Sequence, residues 1–507
     1  MTVVETPVSG PPTSGTSPHL RLLVAMLAGA SLIRIAALGA FPEITADEGL
    51  WTNSSKNRVV FGDWFMDLRT HLFLSPVFHG ATVAVFGVLG PSIAAARLLS
   101  AVAGSVSVFL LYVLVTRVTG RRDLGLTTAL VFAFDALGVM LSRRALVESF
   151  QLCIMLLSVT ILVRGRARDV LGGGLALGVA MLTKLNTVFL LPVLGLFLLA
   201  RSAGPARRPT GVGWRDSLFL AATSIALAGM VYWGLYAWHP QEFVQAFGFE
   251  LDGVHFESRS NPVVRLGRFG LDPIQLSRTI LGLFRESPFP MVLATCGAAI
   301  AVVVRPRGAA LFGPWLIVGM AFFLAQMFQP VRYFHLVSPA VAFFAAVAVN
   351  QGGGEGATDT RRSALTRRAV LGAYLVFSLG YVGVGAVANR ATKLEQVVTW
   401  VRANTDPAAR IMAAGYFCTD LPNRAYAHYH LARDTAQLVQ SLRSYRINYV
   451  VYDSAEWRPA LGTALAARFP VVKAWSFGVV YQVMAIGDSA PASPRWLDSM
   501  APSAAQR

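Results

Sequence analysis

Long apolar runs alternate with short polar segments along most of the chain. A helix needs about 20 apolar residues to cross a bilayer, because no water is present there to satisfy an open backbone. Runs of this kind lie near residues 21–41, 94–118, 124–142, 145–163, 170–183, 185–200, 216–237, 279–304, 309–328, 331–350 and 369–389. The pattern predicts a polytopic α-helical membrane protein with roughly eleven transmembrane helices.

Arginines collect in every second segment between these runs. They are Arg121 and Arg122, then Arg164, Arg166 and Arg168, then Arg201, Arg207, Arg208 and Arg215, then Arg305 and Arg307, then Arg361, Arg362, Arg367 and Arg368. Basic loops face the cytoplasm, and the alternation holds only if the region around Lys184 makes two crossings. This alternation of basic segments predicts a cytoplasmic N-terminus and three long outer segments, 42–93, 238–278 and 390–507.

Composition supports the membrane assignment and explains the charge. Apolar residues make up 54% of the 507 residues and charged residues only 14%, whereas a water-soluble domain carries about 25% charged residues. Soluble enzymes and nucleic-acid readers are therefore excluded. The net charge of +17 follows from the basic cytoplasmic loops, so no nucleic-acid partner is expected. The three cysteines lie far apart and predict neither a disulfide framework nor a metal site.

The segment 390–507 differs in character from the rest. Apolar residues recur at helical spacing from Leu394, and a second helix is predicted near Leu438. Strand-like runs lie at 410–414, 447–452, 470–475 and 478–484. They predict a small extracytoplasmic α/β domain after a transmembrane domain at 20–389 and a disordered cytoplasmic tail at 1–19. The segment has no phosphate-binding loop and no nucleophile motif, so its expected role is to bind substrate or cover the site.

Two adjacent acids, Asp47 and Glu48, follow the first apolar run directly. They could simply begin a surface helix, where acids in the first turn contribute about 0.3 to 1 kcal/mol. Alternatively, one of them takes a proton from an acceptor hydroxyl at the water boundary. The apolar stretch 77–90 is too short to cross the membrane, so we expect it to lie along the interface and hold this loop at headgroup level.

The order of motifs resembles that of the GT-C glycosyltransferases. Within them it is most similar to the group of protein mannosyltransferases and lipid A aminoarabinose transferases, glycosyltransferase family 39. The residues that carry the resemblance are Ala46-Asp47-Glu48-Gly49, Gly62-Asp63-Trp64, Ser75-Pro76, Phe86-Gly87, Gly90-Pro91-Ser92, Ala96-Arg97-Leu98, Ser142-Arg143-Arg144 with Glu148, Leu182-Thr183-Lys184, and Arg332-Tyr333 followed by Pro339. The resemblance covers most of residues 20–390.

The resemblance implies a GT-C fold, a polyprenyl-phosphate sugar donor and a catalytic acid in the first outer loop. Asp47 matches the family's acid best, and Glu48 is the second candidate. Family members often have Lys-Pro-Pro where this chain has Leu74-Ser75-Pro76, and that lysine is associated with the donor phosphate. Its role could pass to another basic residue. The candidates are Arg69, His71, Arg97, Arg143, Lys184 and Arg332.

The chemistry of such a transfer needs few groups. The leaving group is a stable phosphate anion, so cations must hold it while one carboxylate deprotonates the attacking hydroxyl. A single base acting from the opposite face implies inversion at the anomeric carbon. No cofactor and no metal are expected. We place Asp47 and Glu48 as catalytic candidates, and Glu148 and Tyr333 join the basic residues as candidate substrate contacts.

Most of these charged residues also have purely structural interpretations. Arg143 and Glu148 could close a helical hairpin as an ion pair. Arg97 and Lys184 could extend toward lipid headgroups, and Arg332 with Tyr333 could belong to an interfacial aromatic belt. Asp135 lies inside a predicted span and requires a partner or water.

The leading interpretation is an inverting, multi-pass glycosyltransferase of a bacterial inner or cell membrane. It would move a sugar from a polyprenyl phosphate to a protein, lipid or glycan acceptor at the outer face. A transporter or flippase of lipid-linked sugars is the alternative, but transporters more often show internal repeats and paired interrupted helices, and no repeat is apparent. A third possibility is an assembly protein whose outer domain recruits partners.

Overall fold

The computed structural model describes residues 18–64, 71–203, 214–251, 265–266, 269–270, 273–326, 331–350, 361–388, 390, 392–421, 425–426, 435–444, 446–453 and 459–483. Before the C-terminal segment the described chain is largely helical, and its apolar helices pack around one large core. The helices are α1 (Pro18–Ile35), α2 (Ala46–Phe61), α3 (Pro76–Leu89), α4 (Ile93–Thr119), α5 (Arg122–Phe134), α6 (Ala136–Ser142), α7 (Val147–Leu162), α8 (Ala167–Thr183), α9 (Leu190–Ala203), α10 (Trp214–Trp238), α11 (Pro240–Leu251), α12 (Pro273–Glu286), α13 (Pro288–Val304), α14 (Ala309–Leu324), α15 (Ser338–Asn350) and α16 (Arg361–Ala388).

Short elements link several of these helices. They are the 3-10 helices Leu72–Leu74, Leu185–Phe189 and Val331–Leu336 and the antiparallel pair β1 (Arg265–Leu266) and β2 (Phe269–Gly270). A 3-10 turn is tighter than an α-helical turn and places residues three apart on one face. The last two 3-10 helices carry or adjoin the predicted site residues Lys184, Arg332 and Tyr333.

Local sequence explains the bounds of α2. Its first turn is closed by the Glu48 carboxylate, which accepts a hydrogen bond from the Thr45 backbone amide at 3.2 Å, as in a capping box. The helix ends at Gly62, which has a φ of +77°, a left-handed conformation that glycine adopts without steric cost. Asp47 and Glu48 are therefore fixed in the first turn of a regular helix.

Two apolar runs predicted as single helices are broken. The run 124–142 bends by 61° at Asp135, between α5 and α6, and the run 279–304 bends by 106° at Ser287, between α12 and α13. Pro288 explains the second break, because the residue before a proline is disfavoured in the helical conformation. Each of the two predicted runs is therefore divided between two helices, and α12 and α13 pass the test for a membrane span only as a pair.

Several helices meet the length requirement of a membrane span. By length and composition, Ile93–Thr119, Arg215–Trp238 and α16 can each cross a bilayer, and each bent pair adds one more if it acts as a single span. The described residues thus hold three such helices, or up to five. The shorter apolar helices have 10–17 residues, so the count of eleven crossings stays a prediction.

The C-terminal segment forms a mixed five-stranded sheet with helices against it. Its elements are α17 (Thr392–Asn404), β3 (Ile411–Met412), α18 (Gly415–Asp420), β4 (Ala425–Tyr426), α19 (Thr435–Ser444), β5 (Tyr449–Asp453), α20 (Pro459–Ala466), β6 (Val471–Trp475) and β7 (Gly478–Gln482). The strand order is β4-β3-β5-β7-β6. Strand β3 is parallel to its neighbours β4 and β5, and strand β7 is antiparallel to its neighbours β5 and β6. Apolar residues of α17, α18, α19 and the central strands form a separate core.

This C-terminal unit packs directly on α2. Gly49 lies so close to the backbone of Gly415 and Tyr416 that any side chain on it would collide with the main chain. The Thr52 and Thr419 hydroxyls share a buried hydrogen bond of 2.9 Å. The small residues therefore allow α18 to support the helix that begins with Asp47 and Glu48.

Candidate active site

The two adjacent acids have opposite surroundings. Glu48 and Arg97 are both fully buried and form a two-point ion pair, with Nε to Oε2 at 2.7 Å and Nη2 to Oε1 at 2.8 Å. The Ala145 backbone amide donates to the same carboxylate at 2.9 Å. Glu48 thus has both oxygens engaged by protein donors, and Arg97 is committed to Glu48 and to the Leu38 carbonyl. Neither group is open to a ligand in this arrangement.

Asp47 instead faces an open cluster of charges. Its side chain is 38% exposed and forms an ion pair with Arg332. The Arg332 Nε also lies 3.5 Å from the Glu148 carboxylate, and Lys184 Nζ donates to that carboxylate at 2.9 Å. Two acids and two bases from four different parts of the chain therefore meet at one place.

Aromatic rings surround the lysine of this cluster. The Lys184 ammonium lies 4.3 Å from the ring centre of Tyr333 and 5.4 Å from that of Trp51. Ring faces attract cations, so these side chains hold the ammonium without neutralising it. Glu148 and Tyr333 are buried, which makes the cluster a polar patch enclosed on its inner side.

Local structure explains how Lys184 reaches this position. It lies between α8 and the 3-10 helix Leu185–Phe189, and Gln151 holds that turn by donating to the Lys184 carbonyl at 3.2 Å and to Asn186 at 2.6 Å. The Ser75 hydroxyl donates to the Thr183 carbonyl at 2.5 Å. The segment in which family members often carry their lysine is therefore tied to the residue that precedes Lys184.

The structure places Arg143 away from the charge cluster. Its guanidinium donates to the carbonyls of Ile33, Ala36 and Phe41 at 2.5, 2.7 and 3.0 Å and lies 4.8 Å from the Phe41 ring centre. The proposed Arg143–Glu148 ion pair is thus wrong, because Glu148 pairs with Lys184 and Arg332. Arg143 instead satisfies carbonyls in the last turn of α1 and in the residues that follow it, as basic side chains often do at helix C-termini.

Two further residues are predicted as candidate phosphate contacts, and the structure describes one of them. Arg69 lies outside the described residues. His71 is buried, and its ring meets Trp51 edge-on with 5.0 Å between ring centres. No group of three or more potential metal ligands occurs among the described residues.

Sequence reasoning missed Trp51 and Gln151. Both stand in helices at spacings that could have indicated them. Trp51 is four residues after Asp47, and Gln151 is three residues after Glu148, so each shares a helix face with a predicted site acid. A polar residue in an apolar run, such as Gln151, is itself a signal of a functional or packing role.

Part of the chain that contributes to this site matches a known protein family. Residues 74–233 match the model of the dolichyl-phosphate-mannose-protein mannosyltransferase family, a range that runs from α3 through most of α10 and contains Arg97, Arg143, Glu148 and Lys184. No curated protein sequence matches the chain. Asp47 and Arg332 lie outside the matched range.

Solved structures resemble the chain over almost its whole length. ArnT from Cupriavidus metallidurans bound to undecaprenyl phosphate has a TM-score of 0.64 at 17% identity, covering 90% of this chain and 97% of that chain. The apo form of the same protein has a TM-score of 0.65 at 16% identity, covering 92% and 98%. The Archaeoglobus fulgidus oligosaccharyltransferase in the apo form has a TM-score of 0.53 at 11% identity, covering 90% and 73%.

These matches confirm the resemblance to the GT-C glycosyltransferases that the sequence motifs indicate. The chain has the helical GT-C fold of a multi-pass membrane protein. At such low identity the structural likeness establishes the fold alone, because one fold supports many activities.

Proposed function

We propose that this protein is an inverting glycosyltransferase that moves a sugar from a polyprenyl-phosphate-linked donor to an acceptor hydroxyl at the outer face of the membrane. The observation that carries the proposal is the cluster of Asp47, Arg332, Glu148 and Lys184. It combines one half-exposed carboxylate with two cations, which are the groups that this transfer needs. The solved structure of a protein with this fold, ArnT, contains undecaprenyl phosphate, which supports a lipid-linked donor.

Asp47 is the proposed base, and Arg332 and Lys184 are the proposed phosphate contacts. In the structure Arg332 is held by Asp47. A donor phosphate would compete for that guanidinium, which binds phosphate in a two-point manner, and so release the carboxylate oxygens toward the acceptor hydroxyl. Donor binding would thereby prepare the base.

The transfer step replaces one bond to the anomeric carbon with another. The acceptor oxygen forms a bond to the anomeric carbon while the bond from that carbon to the phosphate oxygen breaks. Asp47 takes the hydroxyl proton, and the phosphate keeps the electron pair. The two cations stabilise the charge that develops on the leaving phosphate, and attack from the opposite face inverts the anomeric carbon.

The other predicted residues have supporting roles in this proposal. Glu48 and Arg97 fix the first turn of α2, and Arg143 fixes the end of α1. Glu148 orients Lys184 and Arg332 toward one point, and Tyr333 with Trp51 shields the ammonium. The topology that accompanies the proposal is a cytoplasmic N-terminus, with the segment 42–93 and the C-terminal domain outside a bacterial plasma membrane.

The test compares wild type with Asp47→Asn in purified, lipid-reconstituted protein. Each is given a panel of undecaprenyl-phosphate-linked pentoses and hexoses with an envelope extract as acceptor, and released undecaprenyl phosphate is measured. Loss of a general base should slow transfer about 10²- to 10⁴-fold. Unchanged turnover in Asp47→Asn would show that the base assignment is wrong.

Asp123 offers a matched control. It also pairs with an arginine, Arg121, at 2.6 Å, and its side chain is 40% exposed. Asp123→Asn removes an equivalent ion pair in a predicted cytoplasmic loop and should leave transfer unchanged. If wild type itself releases no undecaprenyl phosphate from any donor in the panel but moves the intact lipid-linked sugar across vesicles, the transporter alternative replaces the proposal.

A further inference from the structure

Two breaks between successive helices are linked to each other by hydrogen bonds. Asp135 separates α5 from α6, and Ser287 separates α12 from α13. The Ser287 hydroxyl donates to one oxygen of the Asp135 carboxylate. The other oxygen accepts from the Gly138 backbone amide at 3.0 Å, which caps α6. One buried carboxylate thus joins both breaks.

The carbonyls in the last turn of α5 are also satisfied from other helices. Breaking a helix removes intrahelical partners from the carbonyls before the break, and in a membrane neighbouring helices must replace them. Arg34 of α1 donates to the Ala133 carbonyl at 2.8 Å, and Tyr374 of α16 donates to that of Val131 at 2.6 Å. The buried Arg34 guanidinium also attracts the Asp135 carboxylate.

One route leads from this break to the first outer loop. The short helix α6 starts at the Asp135 cap and ends at Ser142, where a tight turn brings Ala145 to the bend before α7. The Ala145 amide donates to Glu48 at 2.9 Å. The direction of α6 therefore sets where the first turn of α2, with Asp47 beside Glu48, is held.

A second route leads to Arg332. His335 stands three residues later in the same 3-10 helix, and its buried ring stacks on Phe132 with 6.0 Å between centres and 9° between planes. Its ring lies over Gly138, where an added Cβ would stand 3.3 Å from His335 Cε1 and 3.4 Å from the Asp135 carboxylate. The 3-10 helix that presents Arg332 thus rests on the capped start of α6.

We propose that Asp135 is a positioning residue, which links the two helix breaks and thereby fixes Asp47 and Arg332 relative to each other. It touches neither of them directly. The Ser287 hydroxyl and the Gly138 amide hold its carboxylate in the one orientation that serves both routes. The effect of this positioning role on turnover rests on the proposed function. Its effect on the protection of backbone amides from hydrogen exchange does not.

Amide hydrogen exchange of the full-length protein in lipid nanodiscs tests the structural step. Asp135→Ala should raise exchange in segments 143–148 and 331–336 roughly tenfold, because local opening replaces a hydrogen-bonded turn. Asp135→Asn retains an acceptor oxygen for Gly138 and should restore most of the protection. Ser287→Ala, which removes only one of the two bonds, should give a smaller increase in the same segments.

Ser158→Ala is the matched control. Ser158 is also a buried membrane serine, and its hydroxyl donates to the Gly173 carbonyl at 2.7 Å between α7 and α8. This variant should leave 143–148 and 331–336 protected. Unchanged exchange in those segments for both Asp135→Ala and Ser287→Ala, or an equal increase in Ser158→Ala, would overturn the positioning role.

Turnover distinguishes positioning from general loosening. A misplacement of about 1 Å costs on the order of a hundredfold in rate, so Asp135→Ala should lower kcat 10- to 100-fold with less change in the donor KM. In an Arg332→Lys background the same change should cost much less, since the geometry it protects is already lost. Equal losses in the two backgrounds would contradict the proposal. If wild type shows no transfer while the exchange pattern is as expected, the proposed function fails and the positioning role stands.

Discussion

Asp47 and Glu48 are neighbours in sequence and opposites in structure. Each pairs with an arginine, but the Glu48–Arg97 pair is fully buried and the Asp47–Arg332 pair is partly exposed. Successive residues on a helix point about 100° apart, so the first turn of α2 directs one acid into the core and the other into the charge cluster. Environment, rather than residue type, separates a structural acid from a candidate base.

The two ion pairs also differ in whether a ligand can displace one of the partners. Glu48 has donors on both oxygens, including a backbone amide, so no ligand can replace them without breaking the fold. Asp47 and Glu148 share Arg332, and Lys184 is held by Glu148 and by ring faces. Those contacts are with side chains, which a phosphate can displace. The comparison predicts that stability and activity respond to different members of the set.

The largest effect is expected from Glu48→Ala. It leaves Arg97 buried without its partner, and breaking a buried ion pair from one side costs roughly 3 to 5 kcal/mol. Thermal unfolding in detergent should show a loss of stability and of transfer together. Asp47→Asn should lose transfer and keep a melting temperature near that of wild type.

The double variant Glu48→Leu with Arg97→Met sharpens this expectation. Apolar replacement of both partners removes the unpaired charge and should recover part of the stability that Glu48→Ala loses. If Glu48→Ala unfolds at the same temperature as wild type while Asp47→Asn is destabilised, the assignment of structural and functional acids is reversed.

The sequence was sufficient to predict the membrane class and the acid pair. Runs of apolar residues predict helices directly, because the bilayer requires them, and Asp47 with Glu48 stands out at the end of the first run. The sequence could not separate the two acids, since that depends on Arg97 and Arg332, which lie 49 and 285 residues away. It also missed the break at Asp135, because hydropathy averages over a polar residue whose partner, Ser287, is 152 residues distant.

The next prediction concerns Lys184, which belongs to the charge cluster around the partly exposed Asp47–Arg332 pair. Lys184→Ala removes one proposed phosphate contact and should raise the donor KM about 10- to 100-fold, as expected for the loss of a charged hydrogen bond of roughly 1.5 to 3 kcal/mol. Lys184→Arg should retain part of the affinity. Initial rates at varied donor concentration separate KM from kcat.

Lys473 is a suitable control for this change. Its ammonium also lies over an aromatic ring, that of Trp475 at 5.8 Å, but on the edge strand β6 of the C-terminal sheet. Lys473→Ala should leave the donor KM unchanged. A donor KM that is the same in Lys184→Ala as in wild type would remove Lys184 from the phosphate site.

Gly49→Ala probes the support that keeps both acids in place. The added methyl group would overlap the backbone of Gly415 and Tyr416, so α18 must move away from α2. We expect a severalfold loss of kcat and a melting temperature a few degrees lower, since overpacking typically costs about 1 to 3 kcal/mol. Gly80→Ala, in α3 with open space around it, should be neutral, and equal behaviour of the two variants would show that the contact is dispensable.

The smallest effect is expected from a partly buried acid, Asp420, which accepts a hydrogen bond from the first residue of α4 and lies near Arg97. Burial raises the pKa of its carboxyl to about 6, although the Ile93 backbone amide donates to it at 3.2 Å and Arg97 and Arg402 favour its charged form. A carboxyl that holds its proton more tightly when folded makes the fold less stable as pH rises from about 4 to 6.

Asp420→Asn keeps an acceptor for Ile93 and removes the titration. Its melting temperature relative to wild type should therefore rise as pH increases from 4 to 7, by a few degrees, which corresponds to about 1 to 3 kcal/mol. The pH 4 measurement is the internal control, because wild-type Asp420 is then largely protonated and the two proteins should melt at similar temperatures. A difference that is constant across this range, or that shrinks with rising pH, would show that Asp420 does not carry this dependence and that the buried face of α2 is supported by the Glu48–Arg97 pair without it.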